Sequence, residues 1–548
     1  MKNKVRIEQA TLFFAGLITL SVSPFWSFDA FNVPKFLALT VATFSLLTIS
    51  ISKANTIFLL KKHKLYFCSI GFLLLDLIFV LLSSNINFIE QIFGTFARNT
   101  GFVTIACFAL YSVIGAVLAQ QSFLKRTTTV FLVVGLVDGL YGLLQITGLD
   151  PFDWTNPYSP VFGFFGNPNF HSSFQAMSAV CAVTLLFESG INLKRKIQLI
   201  FMFLLFLLNI WQSKSIQGFL VLGAAAIFLI TIVTSKSSLK KFLRVPVYFL
   251  GVILSSAVLL DIFQKSPWKP VLYKPSVSSR GDFWNAGFQM MLDKPLNGVG
   301  LDNYGGWYNF YRSADSIKER GANVASNSSH NVFLDYGSNG GIPMFLVYFL
   351  IVSLTVLAIV KVFKKSKKLD MHFLALSGVW VAFQVQSIIS INQIGLSIWG
   401  WLLTGIIIGY QKSDSNEERN QEFLSDKKLK LMSNAAIGAT LGLIIALPPF
   451  LSDASYRSAI DSQVADQVKN SAYKWPQNTD RMVLASTAFA DNNLPEESLS
   501  IAKDIVQINP RKIQAWRLIW QNSISTLQEK EIALKNLRKL DPRNPEYK

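Results

Sequence analysis

Two short groups, Ser279-Arg280-Gly281-Asp282-Phe283-Trp284 and Ser329-His330-Asn331, fall in one polar stretch running from about Asp261 to Gly341 of an otherwise apolar chain. Arg280 supplies a cation that stays charged and whose planar fork matches phosphate oxygens. His330 supplies an imidazole, the side chain whose unperturbed pKa lies nearest neutrality and which can take a proton from a hydroxyl. Together they supply a fixed cation and a titratable imidazole within one polar stretch. Read singly, each has a plainer explanation. A histidine after Asn327-Ser328-Ser329 is more often a surface residue at a helix start, and an arginine near Asp282 can form a local ion pair. Other cationic or polar candidates are Arg98 in Gly94-Thr95-Phe96-Ala97-Arg98, Arg312 in Tyr311-Arg312-Ser313, and Lys214 with Gln217 in the turn from Trp211 to Gly218. Between Lys265 and Asn331 eight Lys and Arg face five Asp and Glu, a mild bias that favours an anionic ligand.

Other chemistries lack a carrier. There is no Asp-x-Asp pair, no His and carboxylate cluster at metal spacing and no Gly-x-Ser-x-Gly, so neither a metal nor another cofactor is expected, nor a covalent intermediate. Gly298, Gly300, Gly305 and Gly306 are loop punctuation. Trp284, Tyr304, Trp307, Tyr308 and Tyr311 could stack on sugar faces, although interfacial aromatic belts are the commoner cause of such a run. Cys68, Cys107 and Cys181 sit in apolar segments, where neither a disulfide nor a zinc framework is expected. Asp76 and Asp138 also fall in apolar runs, and an acid in hydrocarbon is functional by default. They point to a transporter, or else to a hydrogen bond with a neighbouring helix.

These groups need a scaffold, and composition indicates which. Of 548 residues 51% are hydrophobic and 15% charged, with a mean hydropathy of +0.37, which a water-soluble chain of this length would not show. The expectation is an all-α, polytopic membrane protein of 12–13 spans. The net charge of +18 could suggest nucleic acid, but the basic residues recur as short runs between apolar segments, as in cytoplasmic loops, so no nucleic-acid partner is expected. At about twenty apolar residues per crossing, candidate spans lie near 7–24, 33–52, 65–83, 101–119, 127–147, 169–188, 196–212, 215–234, 245–263, 341–362, 371–389, 393–410 and 431–450. The first has a basic start but no small-residue cleavage site and is read as uncleaved.

Alternating loops carry the charge asymmetry. Lys61, Lys62 and Lys64, Lys125 and Arg126, Lys194 to Lys196, Lys240 to Arg244, and Lys361 to Lys368 mark cytoplasmic turns, while 84–100 holds only Arg98 and 148–170 no Lys or Arg. That places the 262–340 loop on the outer face. Of the four histidines, His63 and His372 then face the cytoplasm, and His171 and His330 the outside. The expected organisation is a membrane domain over 1–412, a cytoplasmic linker at 413–430, a last span at 431–451 and an outer-face tail at 452–548. In that tail Trp475-Pro476, Asn509-Pro510 and Asp541-Pro542 recur at intervals of 34 and 32 residues, which reads as tetratricopeptide-like helix pairs.

The ordered set of motifs resembles the O-antigen ligase and polymerase superfamily over roughly residues 90–410. It comprises Arg280-Gly281-Asp282-Phe283-Trp284, Met291-Leu292-Asp293-Lys294-Pro295-Leu296-Asn297-Gly298-Val299-Gly300, Ser329-His330-Asn331-Val332-Phe333-Leu334 and Gly340-Gly341-Ile342. Upstream, Phe93-Gly94 to Arg98-Asn99-Thr100-Gly101 is similar to the family's early outer-loop motif, and Gly163-Phe164-Phe165-Gly166-Asn167-Pro168-Asn169 resembles its Gly-x-x-x-Asn-Pro-Asn element. Relatives often carry an arginine in a Ser-Arg-Gly turn between the seventh and eighth spans; this chain has Ser213-Lys214-Ser215-Ile216-Gln217-Gly218, where either Lys214 supplies the charge and Gln217 a hydrogen bond, or that phosphate contact is absent.

The resemblance implies glycan transfer from a polyprenyl (undecaprenyl) pyrophosphate at the outer face of the inner membrane, without metal or nucleotide sugar. Arg280 and His330 would be catalytic, and Arg98, Lys214, Gln217, Asn331, Asn167, Asn169 and Arg312 would bind substrate. Ligation to a lipid, polymerisation of repeat units and transfer to a protein share this donor chemistry and differ in acceptor. A repeat tail occurs in some relatives and implies docking of a protein or glycan partner. Two readings of other classes stand beside this one: a glycolipid or solute transporter using Asp76 and Asp138, and a membrane-anchored scaffold recruiting partners through its tail.

Overall fold

A backbone in hydrocarbon must satisfy its polar groups internally, and a helix does so within one segment. The structure, a computed structural model describing residues 2–50, 63–84, 86–154, 159–236, 246, 275–411 and 428–548, follows that rule: among the described residues all 21 longer elements are α-helices and none is a strand. The first nine are α1 (Lys2–Leu20), α2 (Asn32–Ser50), α3 (Lys64–Ser83), the short α4 (Phe88–Phe93), α5 (Phe102–Leu118), α6 (Gln121–Ile146), α7 (Pro168–Leu185), α8 (Leu193–Gln212) and α9 (Ile216–Lys236). After the polar stretch come α13 (Val332–Lys365), α14 (Met371–Ile389), α15 (Ile394–Tyr410) and α16 (Lys428–Ser462). Helices thus occupy every expected span except 245–263, which apart from residue 246 lies outside the described residues, as does most of the expected 413–430 linker.

Among the described residues seven helices are long and apolar enough to cross a membrane, and Ile7–Leu20, Phe102–Leu118 and Ile394–Tyr410 are shorter apolar helices. The chain is a polytopic membrane protein. Phe72, Leu75, Phe79 and Leu82 of α3 are all exposed at helical spacing, an apolar stripe that suits lipid. By contrast α15 is buried on every side. Close helix approach depends on small residues. A Cβ at Gly438 of α16 would lie 2.3 Å from the Phe44 carbonyl of α2, and one at Gly442 2.6 Å from the Val41 Cα, so α2 and α16 pack backbone to backbone.

The stretch expected to be one long loop is mostly helical from residue 275 on. It forms α10 (Pro275–Asp293), α11 (Tyr304–Tyr311) and α12 (Ala314–Arg320). Its polar composition hides a helical stripe: Phe283, Ala286 and Met290 are buried against Tyr304 and Tyr308 of α11. Helix α13 then breaks at Gly341, whose φ of 76° leaves the helical region. There Ile342 N donates to the Pro295 carbonyl at 2.7 Å, tying the polar segment to the span that follows.

Helix α16 runs through the expected 451/452 boundary without interruption. Beyond it are α17 (Ala465–Ala472), α18 (Thr479–Asp491), α19 (Pro495–Ile508), α20 (Ile513–Gln521) and α21 (Leu527–Leu540), with α18 packed on α19 and α20 on α21. The recurring Pro476 and Pro510 each precede a helix start, at Thr479 and Ile513. The tail lies on the same end of the bundle as α10–α12. Arg312 and Asp541 form a buried ion pair of 2.5 Å, Arg543 donates to the Phe310 carbonyl at 2.8 Å, and Thr479 N donates to Glu90 of α4 at 2.6 Å. Asp453 of α16 accepts from Phe28 N at 2.7 Å and Asp29 N at 3.2 Å in the α1–α2 connection.

Candidate functional site

Helical spacing in α10 places Arg280, Phe283, Trp284 and Gly287 on adjoining turns facing the Ser328–Asn331 turn. Gly287 is needed for the approach, since a Cβ there would come 3.1 Å from that of Ser329. Phe283 stacks on the His330 ring, with centroids 5.3 Å apart and planes 26° apart, and Trp284 Nε1 donates to the His330 carbonyl at 3.4 Å. The two motifs, far apart in sequence, therefore form one surface.

The turn that presents His330 is held from the helix behind it. His330 has φ 55°, a left-handed conformation uncommon for a non-glycine residue. Asn331 caps α13, its Oδ1 accepting from Phe333 N at 3.0 Å and Leu334 N at 3.2 Å. Asp335, one turn into the helix, accepts from Ser328 Oγ and Ser329 N, each at 2.7 Å, and from Ser329 Oγ at 2.8 Å. Asn331 was expected to bind substrate; what it contacts here is the helix start. Asp335 was missed in the sequence, although an acid in the first turn beyond an Asn cap is a recognisable helix-start pattern.

Arg280 does not pair with Asp282, which instead faces Arg320 at 2.9 Å. Its Nη2 donates to Gln217 Oε1 at 3.4 Å, its Nε is buried without a partner, and among the described residues no carboxylate lies within ion-pair distance of it. Burial lowers its pKa to about 10, so it remains a cation at neutral pH. Gln217 in turn donates to Ser173 Oγ at 3.0 Å, and Ser215 Oγ donates to Asn169 Oδ1 at 2.7 Å. Asn167 caps α7 through Asn169 N at 2.9 Å. The Asn-Pro-Asn element and the α8–α9 turn thus form the wall behind Arg280. Lys214 is exposed on that same turn, with φ 55°.

Arg98 approaches the His330 turn from the α4–α5 connection. Its Nη1 donates to the Asn327 carbonyl at 2.7 Å, and Asp302 lies 3.8 Å from its Nη2. Asp302 also accepts from Thr95 N at 2.7 Å and Thr100 Oγ1 at 2.9 Å, a link that no local sequence signal reveals because the partners are some two hundred residues apart. His330 titrates with a pKa lowered to about 3, first by burial and then by the positive charges of Arg280 and Arg98. At neutral pH the ring is uncharged and can accept a proton.

Two further residues are taken up by the protein's own polar contacts. Arg312 is 1% exposed, its guanidinium taken up by Asp541 and by the carbonyls of Ala322 and Val324 at 2.8 and 3.1 Å, so it fastens the tail to the α11–α12 segment. His171 is fully buried in the first turn of α7. Its Nδ1 is 2.9 Å from Asp138 Oδ2 and its Nε2 3.1 Å from Asn209 Oδ1. Asp138 also accepts from Gln175 Nε2 at 2.7 Å and from Phe164 N at 2.9 Å, so it holds the α6–α7 connection in place. Asp76 keeps one buried oxygen without a partner. Among the described residues no three His, Cys, Asp or Glu gather where they could hold a metal ion.

A comparison with curated proteins finds no match. Residues 199–349 match the family model described as O-antigen ligase, a segment that holds Lys214, Gln217, Arg280, Arg312, His330 and Asn331 but not Arg98, Asn167 or Asn169. This match supports a place for the chain in the O-antigen ligase superfamily and suggests a membrane glycan ligase or polymerase.

Proposed function

We propose that the protein transfers a glycan from a polyprenyl (undecaprenyl) pyrophosphate to an acceptor hydroxyl, with inversion and without a metal, at the outer face of the inner membrane. The observation that carries this reading is Arg280: a buried guanidinium with an unpartnered Nε and no carboxylate beside it among the described residues, next to a neutral imidazole. An uncompensated buried cation is costly unless an anion visits it. A pyrophosphate is such an anion, and its charge grows as it leaves.

In the reaction the acceptor oxygen attacks the anomeric carbon while the bond from that carbon to the pyrophosphate oxygen breaks, the electron pair going to the phosphate. Arg280 offsets the charge that develops there, and His330 takes the acceptor proton. The neighbouring Arg98 and Arg280 hold the free His330 weakly basic. A bound pyrophosphate opposes both cations and so raises the basicity of the ring when the donor is in place. Gln217 orients Arg280, while Asn167 and Asn169 shape the wall behind it. Lys214 is a further phosphate contact, and the tail is a tetratricopeptide-like docking element for the acceptor or a protein partner. The proposed organisation is a membrane domain over 1–412, a cytoplasmic linker at 413–430, a last span at 431–451 and an outer-face tail at 452–548.

The test is reconstitution in vesicles with a polyprenyl-pyrophosphate glycan and candidate acceptors, followed by analysis of the anomeric product. Turnover that persists in Arg280→Ala and His330→Ala but stops in Asp138→Asn would hand the function to a transporter. Loss of turnover in EDTA, restored by a divalent ion, would remove the metal-free mechanism.

A further inference from the structure

The tail does not lie flush on the rest of the protein. Between it and the α10–α12 segment is a cavity of about 230 Å³ with Glu90, Asp302, Asn303 and Asn327 on one side and Asp480 and Gln514 on the other, of the order of a single sugar ring. We infer that this cavity is a saccharide-binding subsite that holds the part of the acceptor glycan away from the reacting hydroxyl. Its role in the acceptor rests on the transfer reading above; saccharide binding as such does not.

The lining excludes other ligand classes. Amides and carboxylates supply donors and acceptors together, as sugar hydroxyls require, and Gly305 and Gly306 add bare backbone. The charges are mixed: Glu90, Asp302 and Asp480 face Arg511 and Lys512, and Lys512 is itself paired with Asp480. A polyanion gains nothing from such a balance. The start of α18, where an anion could settle, is already occupied by Glu90. Few apolar side chains are present to grip a peptide. Arg511 lies over the Trp307 ring, 3.2 Å from its centroid, and donates to the Gly306 carbonyl at 3.2 Å, yet its Nη2 is buried without a partner. A hydroxyl would complete it.

Position connects the cavity to the chemistry. Asp302 and Asn327 line it and also line a second, smaller cleft that contains Arg98 and Asp335. The Asn327 carbonyl holds Arg98, and the same turn continues to His330. A glycan chain lying in the larger cavity would therefore run past Arg98 toward the imidazole.

Asn327→Ala and Gln514→Ala remove exposed side chains from opposite walls. The probe is the set of oligosaccharides released by mild acid from the envelope of cells that express the protein, offered to the full chain in detergent and followed by saturation-transfer NMR without donor. Wild type should transfer saturation to sugar protons, and the double variant should bind roughly tenfold more weakly with an unchanged thermal melt, while Lys535→Ala on the tail surface should match wild type. His330→Ala should keep saccharide binding, so failure of the subsite and failure of the transfer reading are separate results. Equal binding by wild type and double variant, no saturation transfer to any sugar, or displacement of the sugars by inorganic pyrophosphate would each overturn the inference. Gln514→Glu keeps the side chain's size and gives the same readout should the alanine variant misfold.

Discussion

His171 and His330 lie toward the same end of the bundle, and each has charged neighbours, but they are held in opposite ways. His171 is fully buried with both ring nitrogens bonded and a carboxylate beside it. His330 sits on a backbone turn of positive φ; among the described residues its ring nitrogens make no hydrogen bond, and its charged neighbours are cations. A satisfied polar cluster in hydrocarbon makes one arrangement of helices unique. An unsatisfied one leaves something for a ligand to do. On the proposed function, that contrast would leave Asp138 and His171 to architecture and Arg280 and His330 to reaction.

The contrast can be broken most sharply at the open site. Arg280→Ala and His330→Ala should each lower glycan transfer by about 10²–10⁴-fold in the reconstituted assay while leaving the thermal melt nearly unchanged; a large fall in melting temperature with near-normal turnover would reverse the assignment. Asp138→Ala should do the opposite. Removing one partner of a buried pair costs about 3–5 kcal/mol, so denaturation should occur at markedly lower temperature, with activity per folded molecule within a few-fold of wild type.

A finer test uses pH. Because the folded pKa of His330 lies below that of the unfolded chain, its contribution to stability is complete above about pH 6.5. It declines as pH falls toward 3, the unfolded ring taking up its proton first. With only four histidines, histidine-labelled NMR can follow it directly: the ring should remain neutral at pH 5 in wild type and titrate at higher pH in Arg280→Ala or when pyrophosphate is bound. No change in either case would remove the electrostatic coupling. The smallest effect is expected from Asn331→Ala, which loses a helix cap worth about 1 kcal/mol; chemical denaturation should register that loss, together with reduced turnover as the His330 turn loosens.

Much of this was legible in the residues. Apolar runs of membrane length give the helices, because hydrocarbon leaves the backbone few alternatives, and the Arg280 and His330 groups stand out by side-chain type. The polar stretch was misread as loop since its helices carry only a narrow buried stripe, Phe283, Ala286 and Met290, beneath a hydrophilic surface. Arg312 looked like a ligand-binding cation because nothing near it in sequence announces Asp541. Arg280 is the reverse case, because its apparent partner Asp282 turns away to Arg320 and leaves the cation open. Local sequence specifies elements and caps well. Pairings between charges hundreds of residues apart depend on how those elements stack.

The unbroken run of α16 from the bilayer into the tail has a mechanical consequence. With Asp453 accepting from Phe28 N and Asp29 N of the α1–α2 connection, and with Asp541 and Thr479 held by Arg312 and Glu90, the tail is fastened to the bundle at three separate points. A load on any one of these attachments is then shared by the others, so loss of a single one should leave the tail seated.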